Sequence, residues 1–146
     1  MPSLDELAPI LGQWRTSGDV RDDVGGIESR INGTDSYRTL PGEAWIAHEV
    51  DVRIGGGHIV AHELIGGEHP DGGWSMHSFD SSPEPGLMRL TVHEPGVLLV
   101  DGGAVRSWFN VLAGPDFMTT RWERRVGSTW VTWMDMRFDR VASSVR

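Results

Sequence analysis

The sequence predicts an all-β fold: an antiparallel up-and-down barrel of about ten strands, preceded by one short N-terminal helix. Three observations carry that expectation. From Gly12 onward the chain is a succession of short alternating, β-branched or aromatic runs; clusters of glycine, proline and aspartate punctuate them; and no crossover helix intervenes. Sequential strands joined without crossovers pair antiparallel. Rolling such a long sheet until its ends meet removes two exposed edges. A two-sheet sandwich is the alternative arrangement of the same strands.

The helix is expected over Ser3 to Leu11. Ser3 suits the N-cap, Asp5 and Glu6 suit the first turn, and Leu4, Leu7, Ile10 and Leu11 share one face. Gly12 stops it, and Pro9 late in the run predicts a short or partly 3₁₀ helix. Strands are expected near 12–20, 27–39, 44–54, 58–65, 74–79, 87–93, 97–101, 105–112, 117–125 and 129–140. The turns between them include Asp22-Asp23-Val24-Gly25-Gly26, Pro41-Gly42, Gly55-Gly56-Gly57, the 66–73 stretch, Pro95-Gly96 and Gly127-Ser128. Asn32-Gly33 reads either as a hairpin turn or as a glycine bend at a barrel corner, because it sits inside a long alternating run.

A length of 146 residues without repeats predicts a single domain over 1–146. All 13 basic side chains are arginine, against 21 acidic ones, for a net charge of −8. Without lysine there is no Schiff-base or Walker-type chemistry, and without cysteine no thiol nucleophile, disulfide, thiolate metal site or iron–sulfur cluster. The acidic balance and scattered arginines oppose binding to nucleic acid or anionic lipid. The N-terminal stretch lacks a secretory or membrane-spanning run, so neither nucleic acid nor membrane is an expected partner and the expected location is cytoplasmic.

Period-two alternation sorts the strands by face. In 44–54 the even set, including Ile46, His48 and Val50, is the apolar one and is read as inward. In 129–140 the same parity selects Trp130, Met134 and Met136, and in 117–125 it selects Met118 and Trp122. This lining either fills a barrel or leaves room for one ligand. Trp45, Trp74, Trp108 and Trp133 fall on the opposite or an ambiguous face. An exterior aromatic belt would favour a homodimer, and core packing is the other use of these rings.

At Leu11-Gly12-Gln13-Trp14 the chain resembles the calycin superfamily, which includes lipocalins, fatty-acid-binding proteins and heme-binding nitrobindins. The segments Trp130 to Met136 and His62 to Gly66 are similar to a group of uncharacterised bacterial lipocalin-like domains. The resemblance implies a lipocalin-like barrel whose Trp14 closes one end and packs against Arg140 from the last strand, both as structural residues. It also implies a small hydrophobic or amphipathic ligand. Nitrobindin-like proteins open with a longer glycine-rich pattern and take a heme ligand from a C-terminal histidine. Here Gly12 to Gly18 keeps part of that pattern and no histidine follows His93, which counts against heme.

All six histidines fall between His48 and His93. His58 and His62 are not a metal pair, because four residues along a strand span about 13 Å. Symmetrical hairpins at the Gly55 to Gly57 and Gly66 to Gly73 turns would set His48 within about a residue of His62, and His62 opposite His77. Such a row has Cβ steps of about 5 Å. These side chains are read either as partly buried scaffold histidines, as ligand-orienting groups, or as metal, heme or acid/base residues. His69 is expected in a loop and His93 on the surface.

The first function expected is therefore a binding protein for a small hydrophobic molecule. Its cavity would be lined by Ile46, His48, Val50, Val60, His62, His77, Met118, Trp122, Trp130, Met134 and Met136, with no metal and no cofactor. The second is a barrel enzyme that uses a pocket histidine as base, and heme binding is the third.

Overall fold

In the computed structural model, which describes residues 3–142, the Ser3 hydroxyl accepts from the Asp5 amide and opens a 3₁₀ helix over Leu4–Ile10. Pro9 sits inside it, and its inner face buries Leu7 and Ile10. Ten strands follow: β1 (Gly12–Arg21), β2 (Ile27–Thr39), β3 (Trp45–Ile54), β4 (Gly57–Gly66), β5 (Trp74–Phe79), β6 (Gly86–Glu94), β7 (Val97–Asp101), β8 (Val105–Asn110), β9 (Phe117–Val126) and β10 (Thr129–Arg140). Each pairs antiparallel with its sequence neighbours, and β10 pairs back onto β1, with Trp14 opposite Arg140 and Val20 opposite Met134. The sheet is a closed lipocalin-like barrel and not a sandwich.

Closure requires strong coiling where β1, β2, β3 and β10 meet, and two inward-facing glycines permit it. A Cβ on Gly33 would lie 2.1 Å from the Asp51 carbonyl oxygen and 2.6 Å from the Val52 Cα. One on Gly18 would lie 2.3 Å from the Asp135 carbonyl oxygen. Asn32-Gly33 is therefore a glycine bend within β2 and not a hairpin turn. Gly33→Ala is expected to destabilise the barrel by about 2–3 kcal/mol in urea unfolding, since backbone and not a flexible side chain must give way. Gly56→Ala meets nothing within 4 Å and should stay within about 0.5 kcal/mol of the parent.

The helix covers the barrel end at which β1 begins. There Leu7, Ile10 and Trp14 are buried in one core with Ile46, Met118 and Phe138. The Trp14 indole donates to the Ile10 carbonyl at 2.9 Å. The Arg140 guanidinium lies 4.2 Å above that ring and donates to the Leu11 carbonyl at 2.9 Å. One arginine from the last strand thus holds both the indole and the end of the helix.

Two local features reset which side chains face inward. The β3–β4 link is the two-residue turn Gly55-Gly56, with Gly55 at φ 58, and it fixes the pairing of His48 with Glu63 and of Glu49 with His62. In β10 the register against β9 shifts between Thr132 and Met134. This bulge at Trp133 puts the residues before it in the opposite phase from those after it.

Candidate functional site

The barrel encloses a cavity of about 240 Å³, room for a small organic molecule rather than a single water. Most of its wall is apolar, including Ile31, Val50, Val52, Val100, Met134 and Met136. Ile10 of the helix closes one end. At the other, Ile59 lines the cavity while staying 42% exposed, so the lumen opens there.

Besides the hydroxyls of Ser78, Ser107 and Thr120, the wall carries one charged cluster, which comes from three adjacent strands. Alternation along β2 turns Asp35 and Tyr37 inward with Ile31, and the ladder sets Tyr37 opposite His48 and His48 opposite Glu63. Tyr37, His48 and Glu63 therefore form one cross-strand row, with Asp35 diagonal to it. His48 Nδ1 lies 2.6 Å from Glu63 Oε1, and its Nε2 lies 2.7 Å from Asp35 Oδ2. The Tyr37 ring stacks on the imidazole at 3.9 Å between centroids, with planes 8° apart. Thr16, buried on β1, donates its hydroxyl to Asp35 Oδ1. Glu63 meets His48 through Oε1 alone, which leaves its second oxygen and the neighbouring Tyr37 hydroxyl facing the lumen, and across the wall the buried hydroxyls of Ser107 and Thr120 have no hydrogen-bond partner among the described residues.

A ring nitrogen facing a carboxylate must donate to it, so His48 with a carboxylate on each side is an imidazolium. Burial pulls its pKa down, but the hydrogen bonds to Asp35 and Glu63 and their negative charge outweigh burial and raise it from 6.5 to about 9. Burial, then the charges of Asp35 and Glu63, push the Tyr37 pKa well above 10, so its hydroxyl keeps its proton. The sign of the linkage follows. The folded state holds the His48 proton more tightly than the unfolded chain, so this contribution is complete below pH 6.5 and is lost as pH rises to about 9. Its full size is on the order of 3 kcal/mol. Urea midpoints measured at pH 6 and pH 9.5 should differ in that direction, and equal midpoints would contradict the double hydrogen bond.

Of the side chains expected in the lumen, His48, Val50, Trp122, Met134 and Met136 line the cavity. Ile46 and Met118 point inward but are buried in the closed-end core instead. Four others face away. Val60 is 47% exposed and His62 lies on the outer face, because Ile59, Ala61, Glu63 and Ile65 are the inward set of β4. His77 lies on the outer face of β5 against Trp45, at 6.1 Å between ring centroids. Trp130, placed outside by the Trp133 bulge, stacks between Arg106 and Arg125 at 4.1 and 4.9 Å. The expected histidine row is therefore broken: His62 pairs with Phe79 and His77 with Leu64. Trp74 is buried in the core, whereas Trp108 lies outside with its indole donating to Glu123 at 2.8 Å.

Sequence reasoning missed Asp35, Tyr37 and Glu63. The polarity rule assigned such side chains to solvent, yet a tight hairpin counted through Gly55-Gly56 already places Glu63 and not His62 across from His48.

A heme does not fit these residues. His48 has both ring nitrogens committed to carboxylates and the other five histidines lie outside the cavity, so no imidazole there offers a lone pair to iron. Among the described residues no group of three or more His, Cys, Asp or Glu is arranged to hold a metal, and no helix is long and apolar enough to cross a membrane.

Ten strands closed around a partly open lumen define the lipocalin-like class of fold. Among solved structures the chain is similar to an S-type phycobiliprotein lyase from Guillardia theta, at 13% identity with a TM-score of 0.64, covering 98% of this chain and 95% of that one. At that identity the likeness shows the fold alone. No protein-family model matches the chain, and no curated protein matches it.

Proposed function

We propose that this protein is a binding protein for a small, mostly apolar molecule held in the barrel lumen, with the ligand's polar end at the Tyr37, His48 and Glu63 row. The observation that carries the reading is the mostly apolar cavity of about 240 Å³ with one charged cluster at its wall. Apolar enclosure supplies affinity, and a few placed polar groups supply orientation. The solved neighbour, a phycobiliprotein lyase, supports a lumen of this architecture put to use on small-molecule chemistry. The reading as an acid/base enzyme has less support: an imidazolium that donates from both nitrogens has no lone pair with which to take a proton.

Calorimetric titration with 1-hexanol tests the reading. Ala61 lines the cavity and Val60 faces out on the same strand. Ala61→Phe should weaken binding at least about tenfold, while Val60→Phe leaves it unchanged. Equal affinities in all three proteins would place the hexanol elsewhere and overturn the proposal.

A further inference from the structure

Resting on that reading, we infer that the lumen selects ligands whose polar end is a cation or a hydrogen-bond donor, an alkylammonium above all, and rejects carboxylates. The cluster has a formal charge of −1, two carboxylates against one imidazolium. Its hydrogen bonding also has a direction. Both His48 nitrogens are engaged, and each Asp35 oxygen accepts a bond, one from Thr16 and one from His48. What remains at the cluster for a ligand is the second Glu63 oxygen, an acceptor, and the Tyr37 hydroxyl, in a side chain only 6% exposed that lines the same cavity. Elsewhere on the wall the unpartnered Ser107 and Thr120 hydroxyls can donate or accept, so they favour neither head group and the charge of the cluster decides.

An ammonium head brings three donors. One can reach the free Glu63 oxygen and another the Tyr37 oxygen, so the buried charge gains a partner of opposite sign. A carboxylate head brings acceptors only. It would set its charge beside an excess negative one and leave the Glu63 oxygen unpaired, and such mismatches are the usual source of rejection. No arginine lines the cavity and the chain contains no lysine, so no uncommitted cation is there to receive an acid. The charge selection is thus opposite to that of a site built for fatty acids.

Hexylamine, 1-hexanol and hexanoate carry the same chain and differ in the head group. At pH 7.5 the amine is charged, as lysine is below its pKa of about 10.4, and so is the acid, as glutamate is above about 4.3. Calorimetry on the wild-type protein should rank hexylamine tightest and hexanoate weakest, with about a hundredfold between them. Glu63→Gln keeps an oxygen to accept from His48 and removes one negative charge, so the gap should shrink at least about tenfold in that variant. If the variant does not fold, the wild-type ranking alone decides. Hexanoate binding as tightly as hexylamine, or a gap unchanged in a folded Glu63→Gln, would overturn the inference while leaving the binding reading intact. Failure of all three probes to bind would overturn both.

Discussion

Replacing His48 by alanine is expected to destabilise the barrel by about 3–5 kcal/mol, the cost of stranding buried charges without their partner. Asp35 and Glu63 are 4% and 9% exposed, and each loses its bond to the imidazolium lying between them. Tyr37 also loses the ring on which it stacks. One further variant separates charge from volume. The triple variant Asp35→Asn, His48→Ala, Glu63→Gln should be markedly more stable than His48→Ala alone, because the remaining defect is then a cavity and not a repulsion. Chemical denaturation of the wild type, His48→Ala and the triple variant at pH 7.5 reads the effect. A loss below about 1 kcal/mol for His48→Ala would mean that water already reaches the cluster.

Trp14→Ala is expected to cost a similar 3–5 kcal/mol, the range for truncating a buried aromatic. Trp14 is 1% exposed, and its removal takes away the ring beneath Arg140 and the donor to the Ile10 carbonyl. Its loss should loosen the helix that closes the lumen, so hydrogen exchange over Leu4–Ile10 should quicken more than exchange in β6 or β7. Trp14→Phe keeps much of the buried area and loses the indole donor, with an expected cost of about 1–2 kcal/mol. Equal exchange rates in the helix of wild type and Trp14→Ala would show that its closure of the barrel does not depend on the indole.

Much of the architecture was legible because strand signals are local. Glycine and proline clusters mark the turns, period-two patterning marks β3 and the later part of β10, and Ser3 with Pro9 marks the short 3₁₀ helix. The site was harder to read, since it depends on pairings between strands. An unbroken period through β10 places Trp130 inward, whereas the single bulge at Trp133 carries it to the outside. In β4 both faces carry apolar residues, so alternation alone left Val60 and His62 no less inward than Ile59 and Ala61. Asp35 and Glu63 are acids turned inward, against the rule that sorts charge to solvent, and they are tolerated only because His48 lies between them. Such local violations of patterning are where sites are expected.

Methionine-methyl NMR during a 1-hexanol titration tests most directly whether the lumen is a ligand site. Met76, Met134 and Met136 line the cavity, whereas Met88 packs against the core outside it. The account predicts that the three lumen methyls shift together along one saturating curve while Met88 stays in place. Lumen methyls that do not move at saturating hexanol, or a response confined to Met88, would contradict it.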